Sequence, residues 1–360
     1  MSLPITVVCG LNRSAAAQTG RALMRSDRHS YLVMHCLDQI DVGLVSRTTS
    51  NGIGQVEAEL IDLAHGCVSC TLREDVLPTL RMMAGNPDVN HVTLVLPESV
   101  EPIGFLQSFL FVADQANSSV AEVCHIESVV AVLEPAALVS MLGNRETLAD
   151  RDLNIDSEDN RGLGDLLIGH IECADEIVAL EANHQETSLL QLLNPAATVH
   201  TTQPTDIPAT FNWAATSART RPALLDHLAP SCQTDDAWIL DWRSHRPLHP
   251  IRLYESLQDI SDAALRGRGH FQIATRPLSL IEWDSVGRQL RLGPPDDEIE
   301  PQGAHLCFVG VSDQRDQLVA ALDSAQLTDD ELASPASIWS ELQDPFAEIW
   351  LGEDDQDDSD

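Results

Sequence analysis

Along the first two hundred residues, short continuous apolar runs alternate with stretches in which apolar side chains recur every three or four positions. The continuous runs are 5–9, 31–36, 91–96, 129–133 and 176–180, each with the length and β-branched content of a buried strand. Stretches 15–24 and 164–174 carry helical spacing instead. Apolar strands separated by helices predict an α/β fold, a mostly parallel sheet covered by helices, with its working site at the carboxyl ends of the strands. Leu72, Val76, Leu80 and Met83 draw a further helical stripe. Thr71 and Glu74 stand in the relation of a capping box, so that helix is expected to start just after Cys67-Val68-Ser69-Cys70. Pro78 inside it predicts a bend or a boundary. The acid-rich stretch 150–160 reads as a mobile loop.

The pattern changes after residue 200. Residues 201–231 mix Thr, Pro and Ala without strong periodicity and read as a linker with a short helix at 222–228. Beyond it come a strand at 238–242, a helix at 251–257, strands at 270–274, 280–283, 289–292 and 306–309, and a helix at 313–325. Strands following one another without helices between them predict a smaller α+β domain. The domain expectation is therefore 1–205, a linker at 206–236, a second domain at 237–350, and a disordered tail at 351–360 with six acids in ten residues. Trp242 and Trp283 fall in strand-like runs as core, and His249 before Pro250 reads as a cap or packing residue.

Charge sharpens this picture. The net charge is −35 over 360 residues, and all 21 basic residues are Arg. Without lysine there is no Schiff-base chemistry and no lysine phosphate ligand. Between 241 and 291 eight Arg face six acids, so this segment is the place where a polyanion such as RNA meets least repulsion. Arg266, Arg268 and Arg276 are the candidate grips, set against the plainer reading that they form salt bridges within the protein. No apolar run approaches the roughly 20 residues of a membrane span, and the N-terminus lacks the regions of a signal peptide. A cytosolic protein with reduced thiols is expected, and no membrane or DNA partner.

Cys67 and Cys70 are the close pair among eight cysteines. At the positive end of a helix the thiolate is favoured, the form that binds metal or attacks a disulfide. His65 is a candidate third ligand, and Cys36, His91 or His125 could approach in the fold. Metal binding, thiol–disulfide switching and a retained structural turn all stay open, because zinc usually takes four ligands, or three and water. A second candidate lies between the first strand and first helix, where Gly10, Asn12, Arg13 and Ser14 occupy the place of a phosphate loop. Such a loop needs a second glycine and a lysine. Both are missing, and hydrolysis of a nucleotide is not expected.

Taken together, these residues resemble a known family. The Gly10-Leu11 loop, Gly66-Cys67-x-Ser69-Cys70-Thr71-Leu72-Arg73-x-Asp75, Leu96-Pro97-Glu98-Ser99-x-x-Pro102 and Val129-Val130-Ala131-Val132 are similar to the CobW-type zinc metallochaperone GTPases. So are Arg246-Pro247-x-His249-Pro250-x-Arg252-Leu253, Leu265-Arg266-x-Arg268-Gly269 and Ala274-Thr275-Arg276-Pro277. The resemblance implies a P-loop NTPase-like sheet followed by a CobW-type C-terminal domain, with zinc as the metal. Ser69 replaces one of the family's three thiolates, and Glu181-Ala182-Asn183-His184 stands where its guanine-reading motif should be, so GTP is not expected. Residues 64–71, 327–335 and Asp344-Pro345-Phe346 with Trp350 resemble the actinobacterial, mycobacterial-type branch. That branch implies a non-hydrolysing protein that recruits a hibernation-promoting factor to the small ribosomal subunit under zinc limitation. The alternative is a zinc metallochaperone with residual GTP binding or hydrolysis.

Overall fold

The computed structural model describes residues 2–24, 27–63, 67–113, 118–156, 159–228, 231–233, 236–295, 303–311, 313–335, 338–339, 342 and 344–347, with Ser69, Cys70 and Gln233 as backbone. His65, Trp350 and the acidic tail lie outside them. The chain divides into two compact units, 1–141 with 146–220, and 142–145 with 221–360.

The first unit is built on eight strands: β1 (Leu3–Cys9), β2 (Ser30–Gln39), β3 (Leu44–Asn51), β4 (Val56–Asp62), β5 (His91–Val95), β6 (Cys124–Val132), β7 (Glu176–Val178) and β8 (Thr198–His200). Their order is β4-β3-β2-β5-β1-β6-β7-β8. From β2 to β8 every neighbour is parallel, and all five expected strands are present among them. β1 shows why: Ile5, Val7, Val8 and Cys9 are fully buried, as befits a strand with helices on both faces. The sequence reading missed β3 and β4, which add an antiparallel hairpin at one edge. β4 is largely exposed and carries Glu57, Glu59 and Asp62, so its apolar signal is weak while its charges discourage pairing with another chain.

Helix α1 (Arg13–Leu23) lies on this sheet through Ala16, Ala17, Gly20 and Leu23. A Cβ at Gly20 would come within 2.8 Å of Val95 and 3.0 Å of Leu32, so glycine sets how closely helix and sheet approach. The second helix departs from expectation at its start. It begins as α2 (Val68–Thr71), inside the cysteine pair, passes through a π-turn at Leu72–Val76 and continues as α3 (Leu77–Ala84). Thr71 is helical and its hydroxyl donates to Cys67 O at 3.1 Å, so no capping box with Glu74 exists. The apolar stripe is as expected, with Leu72, Val76, Leu80 and Met83 all buried. Pro78 marks the boundary. It has no N–H to donate, and the Leu77 N–H reaches back five residues to Leu72 O. The π-turn carries Asp75, which accepts from His35 Nε2 at 2.6 Å and pairs with Arg47, stitching the turn to β2 and β3.

Residues 150–160 are tied down where they are described: Asp150 accepts from the Thr147 N–H at 2.8 Å, and Asp159 from Arg161 Nε at 2.9 Å. Nor is the stretch after 205 a linker throughout. Its helix is Trp213–Thr220, which belongs to the first unit, and 222–228 forms turns instead. Arg219 fixes that helix. Its guanidinium donates to the carbonyls of Glu172, Cys173 and Ala174, which end a helix, and pairs with Asp175 at 3.1 Å.

The second unit is an antiparallel sheet of β9 (Cys232–Gln233), β10 (Trp238–Ser244), β11 (Arg266–Phe271), β12 (Ile281–Val286), β13 (Gln289–Gly293) and β14 (Ala304–Gly310), ordered β13-β12-β11-β14-β10-β9. Helices Pro250–Ala263 and Arg315–Ala325 contribute Leu253, Ile260, Leu318 and Leu322 to a core that includes Trp238, Trp242, Phe271, Trp283 and Phe308. His249 caps the first of these helices, accepting from the Arg252 N–H at 3.4 Å. β11 starts four residues earlier than its apolar run, because Arg266-Gly267-Arg268-Gly269 pairs on both sides despite its polar composition. No described helix is long and apolar enough to cross a membrane.

Candidate functional site

The parallel strands bring their carboxyl ends to one edge of the first unit, and the functional candidates divide by that edge. His91 and His125 open β5 and β6 at the opposite edge. His91 is bonded there to Thr6 at 3.0 Å and His125 to Ser2 at 3.2 Å, so neither joins the cysteine pair. Cys36 is near the end of β2, on the working side.

At that edge the β1–α1 connection is only Gly10-Leu11-Asn12 before the helix begins. A Cβ on Gly10 would lie 2.5 Å from Val132 O, so this glycine allows the strands' ends to close together. Asn12 caps α1, its Oδ1 accepting from the Ala15 N–H at 3.0 Å while its amide donates to Glu134. Ser14 is exposed on the first helical turn. The residues expected to form a degraded phosphate loop are thus mostly helix and cap.

Arg13 turns toward the end of β2. Its guanidinium donates to Glu98 at 2.9 and 3.1 Å, to Asp38 at 2.6 and 3.1 Å, and to Cys36 Sγ at 3.2 Å. The Asp38 and Glu98 partners raise the Arg13 pKa, and Arg13 together with Cys36 brings Asp38 down to about 2. Asp38, Asp41, Glu98, Asp152 and Asp156 line the cavity of about 380 Å³ beside it, with Arg13 as the basic group. Phosphate would meet an acidic wall and a cation already spoken for.

The cysteine pair borders the same place. Val68 packs against the cluster of Ile40, Val45 and Leu63, as do Leu37 and Ile155, and Leu37, Ile40 and Ile155 line this cavity, so the helix start that follows Cys67 lies near the Arg13 cluster. Cys67 is half-buried and not in a disulfide, as is Cys36. Cys70 is the third residue of α2 and not a residue before it. His65 is outside the described residues. Among those described, no three His, Cys, Asp or Glu side chains gather closely enough to hold a metal ion as they stand. Asp38 and Glu134 were not singled out from the sequence, and Glu98 entered only as part of a family motif. Each falls within a few residues after a continuous apolar run, the position where a parallel sheet delivers its side chains to the site.

Matches to known proteins bear on this arrangement. Residues 38–199 match the CobW/HypB/UreG nucleotide-binding domain, from a point just after the Gly10 loop and α1, and residues 239–326 match the cobalamin synthesis protein cobW C-terminal domain. The chain belongs to the CobW family. It is similar to the zinc chaperone Rv0106 of Mycobacterium tuberculosis, 25% identical over 97% of this chain and 94% of that protein. It is also similar to zinc-regulated GTPase metalloprotein activator 1 of Dictyostelium discoideum, 22% identical over 96% of this chain and 84% of that one. Among solved structures, the Zn(II)-bound YjiA GTPase from E. coli is 14% identical with a TM-score of 0.39, over 91% of this chain and 100% of that chain.

In this CobW-family chain two of the three candidate C-terminal arginines, Arg266 and Arg268, are not placed as a phosphate grip. Arg266 and Arg268 share one face of β11 as their spacing implies, but they are 3% and 2% exposed. Arg266 pairs with Asp284 and donates to Ser285 O at 3.1 Å, while Arg268 donates to the carbonyls of Arg221 and Leu224. Arg276 is partly exposed and bonds Asp344 at 3.0 Å. For the first two, the reading as internal salt bridges and hydrogen bonds replaces the reading as an RNA contact: a guanidinium sunk in the sheet cannot reach a polyanion.

Proposed function

We propose that this protein handles zinc as cargo at the carboxyl edge of its first unit, and that its β1–α1 turn takes no part in nucleotide hydrolysis. The observation that carries this is Arg13, the first residue of α1, held by Asp38, Glu98 and Cys36 where a phosphate loop would need glycine and lysine. The donors fit the metal: thiols from Cys36 and Cys67 and carboxylates from Asp38 and Glu98 are groups that zinc accepts. They are not preassembled, so entry of the ion requires Arg13 to leave its acids. A site that must rearrange to load suits transfer better than a closed structural cage. The names of the relatives, a zinc chaperone and a zinc-regulated metalloprotein activator, support the same reading.

Zinc stoichiometry of the wild type and Cys67→Ser, with GTP turnover followed on the same samples, tests it. We expect bound zinc that the substitution removes, and no turnover above background. Metal content indifferent to Cys67→Ser overturns the ligand assignment, and GTP hydrolysis overturns the closed turn.

Recruitment of a hibernation-promoting factor to the small ribosomal subunit is the finer reading suggested by the motif resemblance. Its C-terminal motifs have structural work in the second unit. Thr328 and Glu331 form a capping box, Glu331 pairs with Arg252, and Phe346 is fully buried. A ribosome contact therefore uses a surface other than β11. Co-sedimentation with ribosomes in zinc-poor medium, hibernation factor present, is the test, and its absence removes the reading.

A further inference from the structure

β4 ends the strand order of the first unit, and no described strand pairs with its outer side. Two hydrogen bonds set the phase of the β3–β4 ladder. The Asn51 N–H donates to Gln55 O at 3.0 Å, and the Leu63 N–H to Gly43 O at 2.8 Å. Odd-numbered residues from 55 to 63 therefore turn their main-chain groups toward β3, and the N–H and C=O groups of Val56, Ala58, Leu60 and Asp62 point out from the sheet edge.

Side chains alternate with the same period. Val56, Ala58 and Leu60 share one face and are exposed, Val56 at 64% and Leu60 at 62%. Glu57 and Glu59 share the other face, where they line a groove of about 340 Å³ with Arg47 of β3 and Met82 of α3. Arg47 is shared among Glu59, Asp75 and Thr79, so it does not neutralise both groove acids. Residues 48–72 hold three acids and no Arg. The edge thus offers unpaired main-chain groups, an apolar strip on one face and negative charge on the other. The acids that discourage pairing with a second copy of this acidic chain favour a strand of opposite charge.

We propose that β4 is a docking edge for an extended segment of a partner protein in which apolar and basic residues alternate. The segment adds a strand to the sheet through the main-chain groups of Val56, Ala58, Leu60 and Asp62. Its apolar side chains lie against Val56 and Leu60, and its Arg or Lys stems pass over Met82 with their charges at Glu57 and Glu59. Leu63, directly after β4, and Val68, directly after Cys67, share one hydrophobic cluster, so a segment held on this edge lies near the cysteine. That the partner receives zinc rests on the cargo reading. That it docks on β4 does not.

Fluorescence anisotropy with the full chain at about 0.15 M salt tests it, using labelled peptides of one composition. Gly-Val-Arg-Val-Arg-Val-Arg-Val-Gly alternates, and Gly-Val-Val-Arg-Arg-Arg-Val-Val-Gly does not. The alternating peptide should bind at least about tenfold more tightly, and its counterpart with Glu for Arg should not bind. Ala58→Pro removes an outward N–H at a position where proline leaves the β3–β4 ladder intact, and should weaken binding about fivefold. N-methylation of alternate residues of the peptide should do the same on the unaltered chain, which covers the case of a variant that misfolds. Glu57→Gln should cost about threefold. Equal binding of the two arrangements would mean attraction to the net charge of −35 alone and overturns the proposal. Affinity indifferent to Ala58→Pro and to N-methylation overturns it as well. The peptide should still bind Cys67→Ser, and loss of binding there would move the contact to the thiol and away from β4. Zinc content read on the same samples decides the cargo reading separately.

Discussion

Arg13 Nη1 lies 3.2 Å from Cys36 Sγ, with Asp38 and Glu98 completing the shell around the same guanidinium. An arginine thus sits as a resident cation among thiol and carboxylate side chains, the types that zinc accepts. The pair links the first helix to the end of β2, in a cluster where no three metal-ligating side chains gather among the described residues.

Replacing Arg13 with Gln should tighten zinc binding. The ion no longer has to displace an ion-pair cluster that, being part-exposed, is worth only about 1 kcal/mol, so affinity should rise about fivefold. Competition against a chromophoric chelator measures this. Weaker binding in the variant would mean that Arg13 helps to assemble the site.

Gly10→Ala should destabilise the first unit by about 2 kcal/mol, because the new Cβ meets a backbone carbonyl, Val132 O, that cannot swing aside. Denaturant unfolding reads the change. A neutral result would show that the β1–α1 turn yields easily and that Gly10 was retained for some other reason.

Arg266→Ala should cost about 3 kcal/mol, since it leaves the buried Asp284 carboxylate, held below its ordinary range chiefly through Arg266 against the cost of burial, with only the more exposed Arg291 at 3.6 Å. The loss should appear in unfolding of the second unit. A variant as stable as the wild type, but with a reduced salt slope for RNA, would return Arg266 to the surface.

His170 is fully buried, and desolvation lowers its pKa to about 4 despite its bond to Val100 O. A group whose folded pKa lies below its unfolded value takes up its proton preferentially on unfolding. Stability should therefore fall as pH drops from 6.5 towards 4, by about 3 kcal/mol in all. Unfolding curves across that window should flatten in His170→Gln. An unchanged slope would assign the acid sensitivity to other groups.

The elements most readable from sequence were those whose burial is two-sided or strongly periodic. β1, β5 and the stripe Leu72, Val76, Leu80, Met83 announce themselves because water must be excluded from every side chain or from one regular face. The hairpin β3–β4 did not, since an exposed edge strand has no such requirement. The Thr71–Glu74 capping signal failed for a local reason: the helix starts inside the cysteine pair and absorbs Pro78 through a π-turn, leaving Thr71 a helical residue.

The sequence by itself determined the two-unit plan, the family, the cysteine pair and the loss of lysine and glycine from the first loop, because these depend on residue type and local spacing. Only the tertiary structure decided what the arginines do. Arg13 and Arg266 look alike along the chain, yet one is fixed by acids delivered from two other strand ends and the other is buried between its own strand and the next. A charge's role is set by which side chains converge on it and by how much water is left there, and both follow from contacts between residues far apart in sequence.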